Sequence, residues 1–125
     1  MSAGKKNVLL IGIDPKLVDF TPFPGFTAEK VLAALDVEQK LLIELGYSPQ
    51  VCHTDLGKTA EAVVTERLSR GQFDCVLIGN GVRSSPANFL LFERLVNAVH
   101  AHAPAAKVCF NTGPGDTVAA IQRWL

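Results

Sequence analysis

The residues best equipped to hold a ligand fall in one short stretch, Asn80-Gly81-Val82-Arg83-Ser84-Ser85. Glycine lets the backbone approach a bound group closely, and Arg83 offers a fork of donors. A helix starting at Ser85-Pro86 would add free N–H groups and the positive end of its dipole. That chemistry suits an anion, such as a phosphate-containing small molecule or a nucleotide. The pattern is neither a Walker loop nor a GxGxxG fingerprint. The same residues also read as a plain turn, with glycines bending the chain, Ser85 capping a helix and Arg83 solvated.

Other polar residues stand at predicted strand ends: Asp14, Asn111, Thr112 and Gly113. Asp14 and Asp19 are the acids near this group. His53 reads as a strand-end surface residue. His100 and His102 sit near a helix end at i, i+2 spacing, which puts them on different faces and makes no metal pair. No nucleophile elbow and no Ser–His–Asp or Cys–His arrangement can be placed. The three cysteines, Cys52, Cys75 and Cys109, lack CxxC spacing and fall in predicted strands, so they read as buried reduced thiols and no metal site is expected.

The elements that must position these residues alternate. Asn7–Ile13 is a continuous apolar run, the mark of a strand covered on both faces. Pro15–Phe26 holds three prolines and three phenylalanines, so it is a long connection. Either it packs its phenylalanines on the core or it forms a functional lid. A helix capped by Thr27 runs to about Leu45, with Val31, Leu32, Leu35, Leu42 and Leu45 as its stripe and Gly46 as its stop. A short edge strand, Ser48–His53, leads to a helix from Lys58 or Thr59 to about Ser69. Phe73–Gly79 is a central strand. A helix from Ser85-Pro86 to about His102 buries Phe89, Leu90, Phe92, Leu95, Val96 and Val99. Lys107–Asn111 is the last strand, and Thr117–Leu125 a final helix.

Four βα units imply a parallel sheet. The two most apolar strands, first and third, belong at its centre. The expected fold is a three-layer α/β/α sandwich with a four-stranded parallel sheet in order 2-1-3-4, a flavodoxin-like arrangement forming a single domain over 1–125. Connections after strands 1 and 3 then diverge and open a crevice at the carboxyl ends of the strands. Asp14, Asn80, Gly81, Arg83, Ser84, Ser85, Asn111, Thr112 and Gly113 are the residues expected to line it.

Bulk composition narrows the partners. Lys+Arg and Asp+Glu both number 12 in 125 residues, so no basic excess points to nucleic acid or a membrane surface. Met1–Lys6 is polar, and no apolar stretch approaches the ~20 residues of a membrane span. A cytoplasmic protein is expected.

The order and spacing of Val8–Asp14, Leu45-Gly46-Tyr47, the helix near Ala60–Leu68 and Phe73-Asp74-Cys75-Val76-Leu77-Ile78 resemble a shortened response-regulator receiver domain. The likeness covers about four-fifths of that family's fold. It implies an acidic pair after strand 1, of which only Asp14 is present. The family's phosphorylated aspartate would fall at Gly79, Thr112 stands at the switch hydroxyl, and the strand-5 lysine has no counterpart. The resemblance therefore carries no phosphoryl transfer and no Mg²⁺. Without a fifth strand, the apolar strand 4 is an edge that needs cover. A homodimer through that edge or the last two helices is expected.

The leading expectation is a small non-catalytic binding module with an anionic ligand in the crevice. A receiver-like protein-interaction domain working without phosphorylation is the second reading. A small enzyme using Asp14, His53 or Thr112 is the third.

Overall fold

A computed structural model of the chain describes residues 5–125, so the first four positions of the polar Met1–Lys6 segment lie outside it. Its sheet is parallel throughout, in the order β2-β1-β3-β4. The strands are β1 (Lys6–Ile13), β2 (Tyr47–Thr54), β3 (Cys75–Ile78) and β4 (Lys107–Phe110). The helices are α1 (Ala28–Glu44), α2 (Ala60–Ser69), α3 (Asn80–Arg83), α4 (Phe89–His102) and α5 (Thr117–Gln122). Ile11, Ile78 and Phe110 stand in one row across the central strands, so β3 and β4 end level with each other and β1 runs two residues further.

Alternation along the strands divides the core into two layers. Leu9, Ile11, Val76 and Ile78 point toward α2 and α4, where Val64, Leu68, Leu95 and Val99 cover them. Val8, Leu10, Cys75, Leu77 and Cys109 point the other way, toward Leu42 of α1 and Ala120 and Ile121 of α5. β1 and β3 are apolar at nearly every position because each is covered twice. This is the flavodoxin-like sandwich expected from the sequence.

Local signals set most boundaries. The Thr27 hydroxyl accepts from the Lys30 N–H at 3.2 Å and starts α1. Gly46, at φ +94°, turns the chain out of that helix as only glycine does without strain. The helix expected from Ser85-Pro86 is different. Asn80–Arg83 coils into its own short helix, Pro86–Asn88 forms a 3₁₀ turn, and α4 begins only at Phe89. Phe89 and Leu90 project from this late start and are about three-fifths exposed, while Leu91 turns inward. Leu45, expected on the apolar stripe of α1, is also exposed.

Both sheet edges are blunted. Arg67 Nη1 donates to the Val51 carbonyl of β2 at 3.0 Å, and Arg123 Nη2 to the Phe110 carbonyl of β4 at 3.0 Å. Each takes an acceptor that another strand would otherwise use. Across the sheet, Glu38 of α1 is buried and accepts the Val118 N–H at 3.1 Å. It thereby caps α5 from another helix and locks the two helices of that layer.

The three cysteines are buried and unpaired. Cys75 Sγ and Cys109 Sγ lie 3.5 Å apart. Cys109 stands opposite Leu77, two residues beyond the partner of Cys75. Strand spacing and rise put their Cα atoms ~8 Å apart, too far for a relaxed disulfide. The hydrogen bond with Cys75 and burial push the Cys109 thiol up, and burial pushes Cys52 up. Neither is a reactive thiolate.

Candidate functional site

A cavity of about 330 Å³ lies at the carboxyl ends of the strands, where the connections after β1 and β3 diverge. Its floor is the sheet itself, with Leu10, Ile11 and Leu77. Val31 and Leu35 of α1 form the wall facing them. Phe20, Phe23 and Phe26, from the connection after β1, close the top. These phenylalanines recur every third residue, and short 3₁₀-type bonds from Phe23 N–H to Phe20 O and Phe26 N–H to Phe23 O hold them in register. The N-terminal half of α1 stands off the sheet over this space. Val31 and Leu35 are therefore only half-buried, whereas Leu42, beyond the cavity, is fully buried.

Polar groups occur at two opposite ends. At one end are Asn80, Gly81, Asn111, Thr112, Gly113 and Thr117; at the other is His53 of β2. His53 and Asn111 are level with each other but three strand spacings apart, ~14 Å between backbones. His53 and Thr112 therefore form no base–nucleophile pair.

Of the nine residues expected at the crevice, Asn80, Gly81, Asn111, Thr112 and Gly113 line the cavity, and Asp14, Arg83, Ser84 and Ser85 do not. Each absentee is engaged locally. Asp14 accepts the Lys16 N–H at 3.0 Å and caps a 3₁₀ turn. Arg83 Nη2 donates to Asn80 Oδ1 at 3.2 Å and to the Asn111 carbonyl at 2.9 Å, and its guanidinium lies 5.9 Å from the centre of the Phe110 ring. Ser84 Oγ donates to the Asn80 carbonyl at 2.8 Å. Ser85 precedes the 3₁₀ turn that delays α4. The long helix expected to aim its positive end at the crevice starts too late, and no residue of α4 lines the cavity.

Asn111 organises the polar end. It is buried, and its Oδ1 accepts the Asn80 N–H at 2.7 Å while its Nδ2 donates to Thr117 Oγ1 at 3.1 Å. Thr117 Oγ1 in turn donates to the Pro114 carbonyl at 3.0 Å. One amide thus joins the end of β3 to the start of α5. Beside it, Asp116 accepts from the N–H and hydroxyl of Thr112 and from the Gly113 N–H. Burial pushes the Asp116 carboxyl up, but these donors outweigh it and leave it below the usual carboxylate range. Asp55 pins the loop after β2 in the same way, held low by the Gly57 N–H and the Thr59 side chain.

Gly79 allows the tight junction between β1 and the cavity. A Cβ at this position would sit 3.3 Å from the Ile11 carbonyl, so even alanine requires that neighbour to give by a few tenths of an ångström. Among the described residues, no group of three or more His, Cys, Asp or Glu side chains is placed to hold a metal ion. Among them, too, no helix is long and apolar enough to cross a membrane.

Sequence reasoning missed the apolar walls, Thr117 and Asp116. The Phe20-x-x-Phe23-x-x-Phe26 spacing was the available signal for the walls, and Thr112-x-x-x-Asp116 the signal for the pinned loop. No family model matches the chain, and no curated protein matches it.

Proposed function

We propose that this protein is a binding module for a small, largely apolar molecule seated in the crevice between α1 and the carboxyl end of the sheet. The observation that carries this reading is the 330 Å³ space walled by aliphatic and aromatic side chains, with polar groups confined to its ends. Ligand sites have this design: an apolar body of roughly 300 Å³ or more with a few convergent polar groups. His53 is the single titratable side chain among the lining residues, which favours binding over turnover. A phosphate-bearing occupant draws less support, because Arg83 is committed to Asn80 and Asn111 outside the cavity.

Titrating ¹⁵N-labelled protein with neutral alkyl and aryl ketones of about ten non-hydrogen atoms tests the reading. Saturable amide shifts are expected at Gly12, Gly79, Gly81 and Gly113, which line the cavity. Shifts scattered over α2 and α4, or none at millimolar ketone, would defeat it.

The second part of the proposal is self-association. The Arg123 bond to Phe110 makes the β4 edge a poor partner for another strand, and α4 and α5 lie on opposite faces. Support comes instead from the α1–α5 face, where Val37, Leu41 and Leu45 recur every fourth residue along α1 and Trp124 is 56% exposed. Sedimentation at micromolar concentration is expected to give a dimer, and Trp124→Glu a monomer. A monomeric wild-type protein would remove this part and leave the ligand reading untouched.

A further inference from the structure

We infer that the molecule held in the crevice is uncharged, with an apolar body of about ten non-hydrogen atoms and a carbonyl that accepts hydrogen bonds at the Asn80–Gly81 end. The inference rests on the binding reading above and sharpens it to a chemical class: neutral amides, ketones, esters or lactones.

Size is the first argument. At ~30 Å³ for each water-sized group, a space of 330 Å³ holds roughly eleven. Charge is the second. No lysine or arginine side chain is among the lining residues. Two cations next to lining residues make hydrogen bonds to protein. Arg83 is bound to Asn80 and Asn111, and Lys30 Nζ donates to the Gly25 carbonyl of the closing connection at 3.2 Å. The two charged groups flanking the polar end, Arg83 and Asp116, are both bound to protein, Asp116 to Thr112 and Gly113. An anion would enter apolar walls with no cationic side chain lining them to offset its desolvation.

The remaining hydrogen-bonding capacity sets the polarity of the head group. Asn111 is engaged at both atoms of its amide, with its Oδ1 on the Asn80 N–H and its Nδ2 on Thr117. The N–H groups of Thr112 and Gly113 both donate to Asp116. Asn80 Oδ1 is occupied by Arg83. Among the described residues, the Asn80 Nδ2 and the Gly81 N–H donate to no protein acceptor, so the Asn80–Gly81 end offers donors. A ligand carbonyl satisfies both without bringing a charge.

Octanamide and octanoate have matched chains and differ in the charge of the head group, and octyl phosphate extends the series. Isothermal titration at neutral pH is expected to give saturable octanamide binding. Octanoate is expected at least tenfold weaker, and octyl phosphate weaker still. Asn80→Ala should weaken octanamide about tenfold, because its carbonyl loses that donor. Octanoate or octyl phosphate binding as tightly as octanamide overturns the inference and leaves the binding reading standing. If none of the three binds and the ketones also leave the lining glycines unshifted, the crevice reading itself is lost.

Discussion

Replacing Asn111 with alanine is expected to lower stability by about 2–3 kcal/mol and the unfolding midpoint by about 6–15 °C. The side chain is 4% exposed and bonds to Asn80 at the end of β3 and to Thr117 at the start of α5. Truncation removes the acceptor of the Asn80 N–H and the donor to Thr117 Oγ1. It also leaves the Asn80 N–H beside an apolar cavity with nothing to accept it. A net hydrogen bond contributes about 1 kcal/mol, and an orphaned buried donor costs about 1–3 kcal/mol more. Asn111→Asp keeps the acceptor and should fall between wild type and alanine. Thermal unfolding followed by circular dichroism measures both. A midpoint for Asn111→Ala within about 1 °C of wild type would mean the amide is not the joint between β3 and α5.

Val31→Trp should abolish binding of the neutral probes, weakening them by about a hundredfold or more, while the fold survives. Val31 lies on the wall of α1 that faces the void, so the indole enters space that is already empty. Burying that added apolar area stabilises by about 1–2 kcal/mol, provided the ring finds an unstrained rotamer. Binding and stability therefore move in opposite directions. This pattern separates filling of a site from simple damage, which lowers both. Titration and thermal unfolding on the same preparation give the two values. A variant that binds octanamide like wild type would show that the probes sit elsewhere.

The sheet order was legible because burial on two faces leaves a plain mark. Val8–Ile13 and Cys75–Ile78 are apolar without alternation, and the prolines and glycines between elements cut the chain cleanly. Strand order alone places the crevice where the connections after β1 and β3 diverge. Its character was less legible. Val31 and Leu35 belong to the same periodic stripe as Leu42, and periodicity cannot distinguish a side chain against the core from one over a void. Arg83 looked like a ligand-binding fork because its type and neighbours allow it. Its real partners, Asn80 Oδ1 and the Asn111 carbonyl, include one 28 residues away that is fixed only by folding. Phe89 and Leu90 read as core for a similar reason, since a helix start displaced by three residues shifts them out of the packed layer.

The space beneath α1 also gives the molecule a mechanical property. Side chains do not fill the 330 Å³ cleft, so the end of the sheet there lacks packing contacts on one side. A molecule seated against Leu10 and Val31 supplies them. Occupancy therefore makes the carboxyl end of the sheet stiff under load, independently of how tightly the ligand is held.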